Sequence, residues 1–319
     1  MITVRLPQVS ETFLDHWAPN PPGPGPSVEG CLASGAFLLE RAGIESARLD
    51  AECLLAHILT CPRWLVVLEA RRRLTREQFG RYLRLLQRRE RREPLAYLLG
   101  TREFWSLPLV VASGVLIPRP ETETVVEAAL AACGDLSLPS TGGPVIIDLC
   151  TGTGAIAIAL ARELPKARVF ATDSSRRALR LARANAQAHG VADRITLLRG
   201  NLWRALDAVQ SNGQADLIVS NPPYIPSGAI GTLMPEVQWE PRRALDGGPD
   251  GLRFHREIIA TAPRHLRPGG FILVEIGADQ AAAVTELLEA GDDFEACRVL
   301  QDLAARDRVV VARRHGNRQ

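Results

Sequence analysis

Asn221, Pro222, Pro223 and Tyr224 place an amide, two rigid backbone positions and a flat ring side by side. An amide or aromatic-amine nitrogen is a poor nucleophile because its lone pair is delocalised. The side-chain oxygen of Asn221 and the backbone carbonyl of Pro222 can each accept one N–H from such a group. They aim the nitrogen and favour the positive charge that grows on it during an in-line displacement. Proline restricts φ, so the carbonyl is held before substrate arrives. Tyr224 adds a face on which a planar group stacks. The chemistry that suits this set is methylation of a planar nitrogen. It needs no general base, because the methylated nitrogen is acidic enough to lose its proton to water. Taken alone, the same residues also read as a proline-rich turn leaving a strand.

A second set precedes it: Asp148, Cys150, Thr151, Gly152, Thr153 and Gly154. Gly152 and Gly154 let backbone amides approach a ligand without a Cβ in the way. Asp173 follows Asp148 by 25 residues, a place from which an acid can bond two ribose hydroxyls. Residues 152–157 (Gly-Thr-Gly-Ala-Ile-Ala) also fit a dinucleotide fingerprint, so the turn by itself leaves NAD open. Two features favour S-adenosylmethionine. Asp148 is placed to reach the amino-acid end of that cofactor, and the 221–224 corner has no role in hydride transfer. Trp203, after the third strand, either covers the adenine or is an ordinary core residue.

For the two sets to meet, each must leave a strand at the same edge of a sheet. Apolar runs at 145–149, 168–172, 195–198, 216–220, 271–276 and 309–312 read as strands. Segments 155–164, 175–189, 255–266 and 278–290 read as the helices between them, with a turn at Pro268-Gly269-Gly270. This alternation predicts an α/β fold with a doubly wound, mostly parallel sheet covered on both faces. Both sets then lie at its carboxyl edge, where ligands bind.

Upstream the spacing is helical from residue 28 to about 92. Successive helices carry Cys31, Leu32, Phe37 and Leu38, then Leu49, Cys53, Leu54, His57 and Ile58. A third opens on the capping signature Thr75-Arg76-Glu77-Gln78. His57 reads as a packed core histidine. Residues 103–111 and 115–117, either side of Ser113-Gly114, read as a β-hairpin, and 121–132 as a helix. The expected division is a loose Pro-rich tail over 1–27, a helical domain over 28–97, a hairpin linker over 98–120 and the α/β domain over 121–319.

Composition narrows the classes further. Hydrophobic residues make up 46% and charged residues 23% of the 319, as in soluble globular chains. No apolar run approaches the roughly 18 residues of a membrane span, and the N-terminus lacks the order of a secretory signal. The six cysteines are scattered without a CxxC pair, and the six histidines form no HxxxH or HxH cluster. A reducing, cytoplasmic setting without disulfides or metal is therefore expected. A net charge of +2 does not argue for nucleic acid. Twelve Arg against four Glu lie between Arg63 and Arg102, which reads first as a solvated helix face. Nothing suggests more than a monomer.

Residues 28–312 resemble the release-factor glutamine methyltransferases. The resemblance rests on residues 48–52 (RLDAE), 93–100 (EPLAYLLG), 103–109 (EFWSLPL) and 114–123 (GVLIPRPETE). It continues through the 148–154 turn, Asp173, residues 221–225 (NPPYI) and 307–310 (DRVV). The Phe-Trp-Ser-Leu and Ile-Pro-Arg-Pro-Glu-Thr-Glu segments are the most specific, since DNA adenine and rRNA guanine methyltransferases share the 221–224 corner. The resemblance implies a Rossmann-like class I methyltransferase domain that uses S-adenosyl-L-methionine. The implied substrate is the side-chain nitrogen of the glutamine in the Gly-Gly-Gln loop of class I peptide chain release factors, with no stable nucleic-acid partner. It also implies a helical domain that helps dock the factor, cofactor ligands at 150–154, Asp173, Trp203 and Asn221, and a substrate clamp at 221–224.

Cys150 departs from the pattern: the family usually has Gly there, and a side chain would crowd the methionine end. The Pro-rich tail is also longer than in the family. Arg119 and Glu121 read first as a local helix-start pair, with an approach to the active site from the hairpin as the alternative, and residues 240–251 read as a loop near the substrate mouth. Two rivals stay open. A nucleic-acid N-methyltransferase would need a basic surface that only 63–102 can supply, and a cofactor-binding adaptor without turnover has Cys150 in its favour.

Overall fold

The computed structural model describes residues 25–136, 142–206 and 215–316. The tail expected over 1–27 lies outside them as far as residue 24. The chain divides into two units, which meet between Leu99 and Gly100.

The N-terminal unit is built from α1 (Val28–Arg41), α2 (Ala47–Leu59), α3 (Arg63–Leu68), α4 (Arg76–Glu90) and α5 (Leu95–Leu99). Helix α4 starts on the expected capping box, in which Thr75 and Gln78 each bond the other's backbone N–H, a cap that contributes about 1 kcal/mol. The apolar stripes of α1, α2 and α4 meet around Leu32, Leu39, Leu54, Leu55, Phe79 and Leu86. Gly35 permits that approach, because a Cβ there would fall 2.3 Å from the Tyr82 hydroxyl. The arginine-rich segment is partly structural. Arg89 is buried against Asp50 at 2.7 Å, and Arg88 grips Glu93 through two bonds. His57, expected in the core, is exposed. The buried face of α2 runs through Leu54, Leu55 and Ile58, and position 57 falls off it.

The second unit opens with an antiparallel hairpin, β1 (Thr101–Phe104) and β2 (Leu107–Val110). Its turn is Trp105-Ser106, not the Ser113-Gly114 that the sequence suggested. Both turn residues take positive φ, 53° and 56°, as a tight hairpin demands, and glycine is absent because tertiary bonds compensate. The Trp105 N–H donates to Glu123 at 2.7 Å and its indole N–H to Glu163 at 2.8 Å. Helix α6 (Glu123–Gly134) follows.

Strands β3 (Val145–Leu149), β4 (Arg168–Asp173), β5 (Ile195–Arg199), β6 (Ala215–Ser220), β7 (Leu266–Glu275), β8 (Phe294–Gln301) and β9 (Asp307–Arg314) form one sheet in the order 5-4-3-6-7-9-8. Pairing is parallel through β7 and antiparallel for the last two strands. This is the doubly wound, mostly parallel sheet that the alternation predicts. Successive side chains face opposite sides, so Ile146, Leu217, Val219 and Leu273 join one core while Ile147, Ile218, Ile272 and Val274 join the other. Helices α6 and α7 (Ala155–Glu163) close the first, and α9 (Arg253–His265) and α10 (Ala281–Glu289) the second. Each Ile or Leu so buried contributes about 1.5–3 kcal/mol.

Two segments depart from expectation. Strand β8 was not anticipated because most of its residues are exposed or half-buried, so no apolar run marks it. Pro268-Gly269-Gly270, read as a turn, lies inside β7 and is absorbed as a register shift against Ala215 and Leu217.

Asn185, wholly buried on α8 (Arg176–Ala188), joins the hairpin to the glycine turn. Its Oδ1 accepts from the Val110 N–H at 2.7 Å, and its Nδ2 donates to the carbonyls of Val110 and Thr153 at 3.1 and 3.0 Å. Asn185→Leu removes all three bonds and should cost about 2–4 kcal/mol, measured as the shift in equilibrium urea unfolding.

Candidate active site

Strand β3 delivers the chain into a turn in which Cys150, Gly152 and Gly154 have φ of 63°, 58° and 83°. Gly154 is needed for packing, since a Cβ there would lie 3.1 Å from Ala182 on α8. Gly152 faces open space, with nothing within 4 Å of its Cβ position. Cys150 carries a side chain in the left-handed region, at a cost of about 1–2 kcal/mol. Burial pushes its thiol up, with Asp173 and Asp148 adding to the effect.

Asp173, at the end of β4, holds this turn in shape. Its Oδ2 accepts from the Gly152 N–H at 3.0 Å and its Oδ1 from the Ser175 N–H at 2.7 Å. Burial raises its pKa, while those amides and Arg243 oppose the rise.

Strand β6 delivers the second set. Asn221 donates from Nδ2 to the Thr122 hydroxyl at 3.0 Å, which leaves Oδ1 as the acceptor. Tyr224 is clamped on two sides. Its hydroxyl donates to Glu275 Oε1 at 3.3 Å, and its carbonyl accepts from Gln280 Nε2 at 2.9 Å. Gly251 approaches that carbonyl so closely that a Cβ would fall 2.3 Å from it.

A cavity of about 480 Å³ lies between the turn, Asp173 and residues 241–246, within the range of small-molecule sites. A smaller one of about 40 Å³ adjoins it, and Leu116, Cys150, Gly152 and Asn221 line both. Asp173 and Pro223 line the larger, and Thr151 and Thr153 the smaller. Pro222 is buried and Tyr224 half-buried, and neither lines either cavity.

Three expected cofactor contacts, Gly154, Asp148 and Trp203, line neither cavity. Asp148 is wholly buried beneath the turn, with Oδ2 accepting from the Thr151 hydroxyl at 2.6 Å. Its Oδ1 has no hydrogen-bond partner among the described residues. Burial pushes its carboxyl up to about 7, with Asp173 adding and Thr151 opposing. Trp203 is a core residue: its ring stacks on His265 at 4.5 Å and 3°, and its indole N–H donates to the Glu257 carbonyl at 3.1 Å. Leu202 takes the place on the wall.

Other wall residues were not singled out from the sequence. Phe254 lies under the Arg253 guanidinium at 4.4 Å, and Arg243 donates to the Ser175 hydroxyl at 2.8 Å. The loop that carries Arg243 is tied back to the corner, where the Ile225 N–H bonds the Leu245 carbonyl at 2.9 Å. Arg119 does not pair with Glu121 as a helix start. It pairs with the buried Glu240, which also accepts from the Ile117 N–H at 3.0 Å. Burial pushes Glu240 up, and Arg119 and that N–H oppose it. Among the described residues no three His, Cys, Asp or Glu gather as a metal site, and no helix is long and apolar enough to cross a membrane.

The larger cavity suits a nucleoside: Asp173 offers acceptors for a diol, and Val115, Leu202 and Phe254 offer apolar wall for a ring. Residues 31–100 match the PrmC N-terminal domain, and residues 136–236 the Methyltransferase small domain. Fold and site therefore define a class I methyltransferase, for which S-adenosyl-L-methionine is the methyl donor. A release factor glutamine methyltransferase of Moorella thermoacetica is 45% identical over 290 residues, covering 90% of this chain and 99% of its own. Those of Geobacter sulfurreducens and Bradyrhizobium diazoefficiens are each 42% identical, over 87% and 97% of this chain and 93% and 98% of theirs. The chain belongs to the release factor glutamine methyltransferase family.

The buried carboxyl under the turn has a stability signature. Unfolded, it releases its proton near 3.8, and folded near about 7. Between those values only the folded state holds the proton, so stability falls as pH rises through the window. Asp148→Asn keeps an acceptor for Thr151 without the charge. The unfolding free energy of wild type minus variant should fall from about pH 4 to about pH 7 and then level off, as urea titrations at each pH would show.

Proposed function

We propose that the protein methylates the side-chain nitrogen of the glutamine in the Gly-Gly-Gln loop of class I peptide chain release factors, using S-adenosyl-L-methionine. The observation that carries this reading is the position of Asn221, on both cavities with its Nδ2 engaged by Thr122. When bound, S-adenosyl-L-methionine supplies an electrophilic methyl group on a sulfonium. Asp173 would bond its ribose hydroxyls, and residues 150–153 would border its amino-acid end. Asn221 Oδ1 and the Pro222 carbonyl accept the two amide protons and orient the nitrogen. Tyr224 offers its ring to the amide plane. Asp148 serves from below, by holding Thr151.

The division into a docking domain over 28–97, a hairpin linker over 98–120 and a catalytic domain over 121–319 belongs to the same proposal. So does action as a cytoplasmic monomer, without metal, a stable nucleic-acid partner or membrane association.

Methyl transfer from labelled S-adenosyl-L-methionine to a purified release factor, its Gly-Gly-Ala variant and a nucleic-acid control tests the reading. Label on the intact factor alone is expected, and label on nucleic acid instead would refute it. Asn221→Ala should lower kcat by about 100-fold or more with cofactor Kd little changed. Cys150→Gly removes a side chain from both cavity walls and relieves a left-handed residue. It should bind S-adenosyl-L-methionine several-fold tighter by calorimetry, and weaker binding would show that the thiol is a favourable contact.

A further inference from the structure

Behind Asn221 lie two buried residues, Thr122, which already engages its Nδ2, and Glu275. Thr122 is 4% exposed and Glu275, the last residue of β7, is 1% exposed. The Thr122 hydroxyl accepts from Asn221 Nδ2 at 3.0 Å. It also faces the Glu275 carboxylate closely enough to hold down a pKa that burial raises. The same carboxylate accepts from the Tyr224 hydroxyl at 3.3 Å, and its Oε2 has no hydrogen-bond partner among the described residues.

A hydroxyl has one proton and two lone pairs. When Glu275 is ionised it can only accept, so a Thr122 proton turned toward it leaves the Thr122 lone pairs facing Asn221. The amide of Asn221 can then meet Thr122 only with its NH2 end. The reversed amide would set Oδ1 against a hydroxyl with no proton to give, leaving a buried acceptor unmet. We propose that Thr122 and Glu275 are positioning residues that hold the Asn221 amide with Oδ1 toward the substrate nitrogen, while Glu275 anchors the Tyr224 ring. Both sides of the substrate clamp thus hang from one buried carboxylate. The inference deepens the methyl-transfer reading and rests on it.

The test uses the full chain and the release-factor assay, with Thr122→Val, Thr122→Ser and Glu275→Gln beside wild type. Thr122→Val keeps the shape but removes the hydroxyl. It should lower kcat by about tenfold or more, the worth of one misdirected hydrogen bond, while the Kd for S-adenosyl-L-methionine stays the same. Thr122→Ser restores the hydroxyl and should restore kcat, which a purely structural role for the side chain would not require. Glu275→Gln supplies a donor where only acceptors stood and should lower kcat more than it changes KM. Wild-type kcat in Thr122→Val, or a Ser variant no better than Val, overturns the inference. Should Thr122→Val fail to fold, Glu275→Gln decides: unchanged kcat overturns it and a selective loss of kcat supports it. No label on any factor with the wild-type protein overturns the methyl-transfer reading and this inference together, whereas an active wild type beside an active Thr122→Val overturns this inference alone.

Discussion

The site depends on the parallel pairing of β3 with β6, which sets Leu149 beside Ser220. The Ser220 hydroxyl secures that register by donating to the Leu149 carbonyl at 2.8 Å. Chain order reverses here: β4 lies on one side of β3 and β6 on the other. The connections leave the two strand ends in different directions and open a crevice between them. One step beyond the paired residues stand Cys150 and Asn221, which line both cavities. A slip of one residue in this register would turn every core side chain of β6 to the opposite face, so the two cores that cover the sheet also protect the geometry of the crevice.

Around that crevice the protein buries acids. Asp148, Asp173, Glu240 and Glu275 all have their carboxyls pushed upward by burial. Each is nevertheless bonded to a segment that shapes the site: Thr151, the Gly152 and Ser175 amides, the Ile117 amide with Arg119, and Tyr224. A buried carboxylate is expensive unless hydrogen-bonded, and removing any one partner would expose that cost. The cost is also what makes these acids specific, because a loop that fails to reach its carboxylate leaves a desolvated charge behind. Turn, corner and flanking loops are therefore placed by polar groups that cannot tolerate an alternative.

The helical unit follows a different rule. It is held by interlocking apolar stripes and by the buried Asp50–Arg89 pair. Part of its arginine excess goes into internal contacts, through Arg88 and Arg89. A local charge count is thus a poor guide to the free basic surface.

Much was legible in the chain itself. Period-two and continuous apolar runs marked six strands of the parallel core and its margin, and the Thr75–Gln78 box marked a helix start, because such signals depend on neighbours in sequence. The glycine turn and the 221–224 corner were legible for the same reason: their chemistry is written in adjacent residues. What escaped depends on partners far along the chain. The hairpin turn at Trp105-Ser106 is sustained by Glu123 and Glu163 rather than by a glycine. Trp203 belongs to the core because His265 and Glu257 meet it there, and Asp148 lies beneath the turn because its strand is central and both its faces are covered. Thr122 gains a role only when folding brings it within 3.0 Å of Asn221. The order of residues determined the class of fold and the kind of chemistry, since periodicity and local motifs are short-range. Which side chains reach the cavities was decided by tertiary structure alone, because burial and hydrogen bonding are settled between segments that the sequence keeps apart.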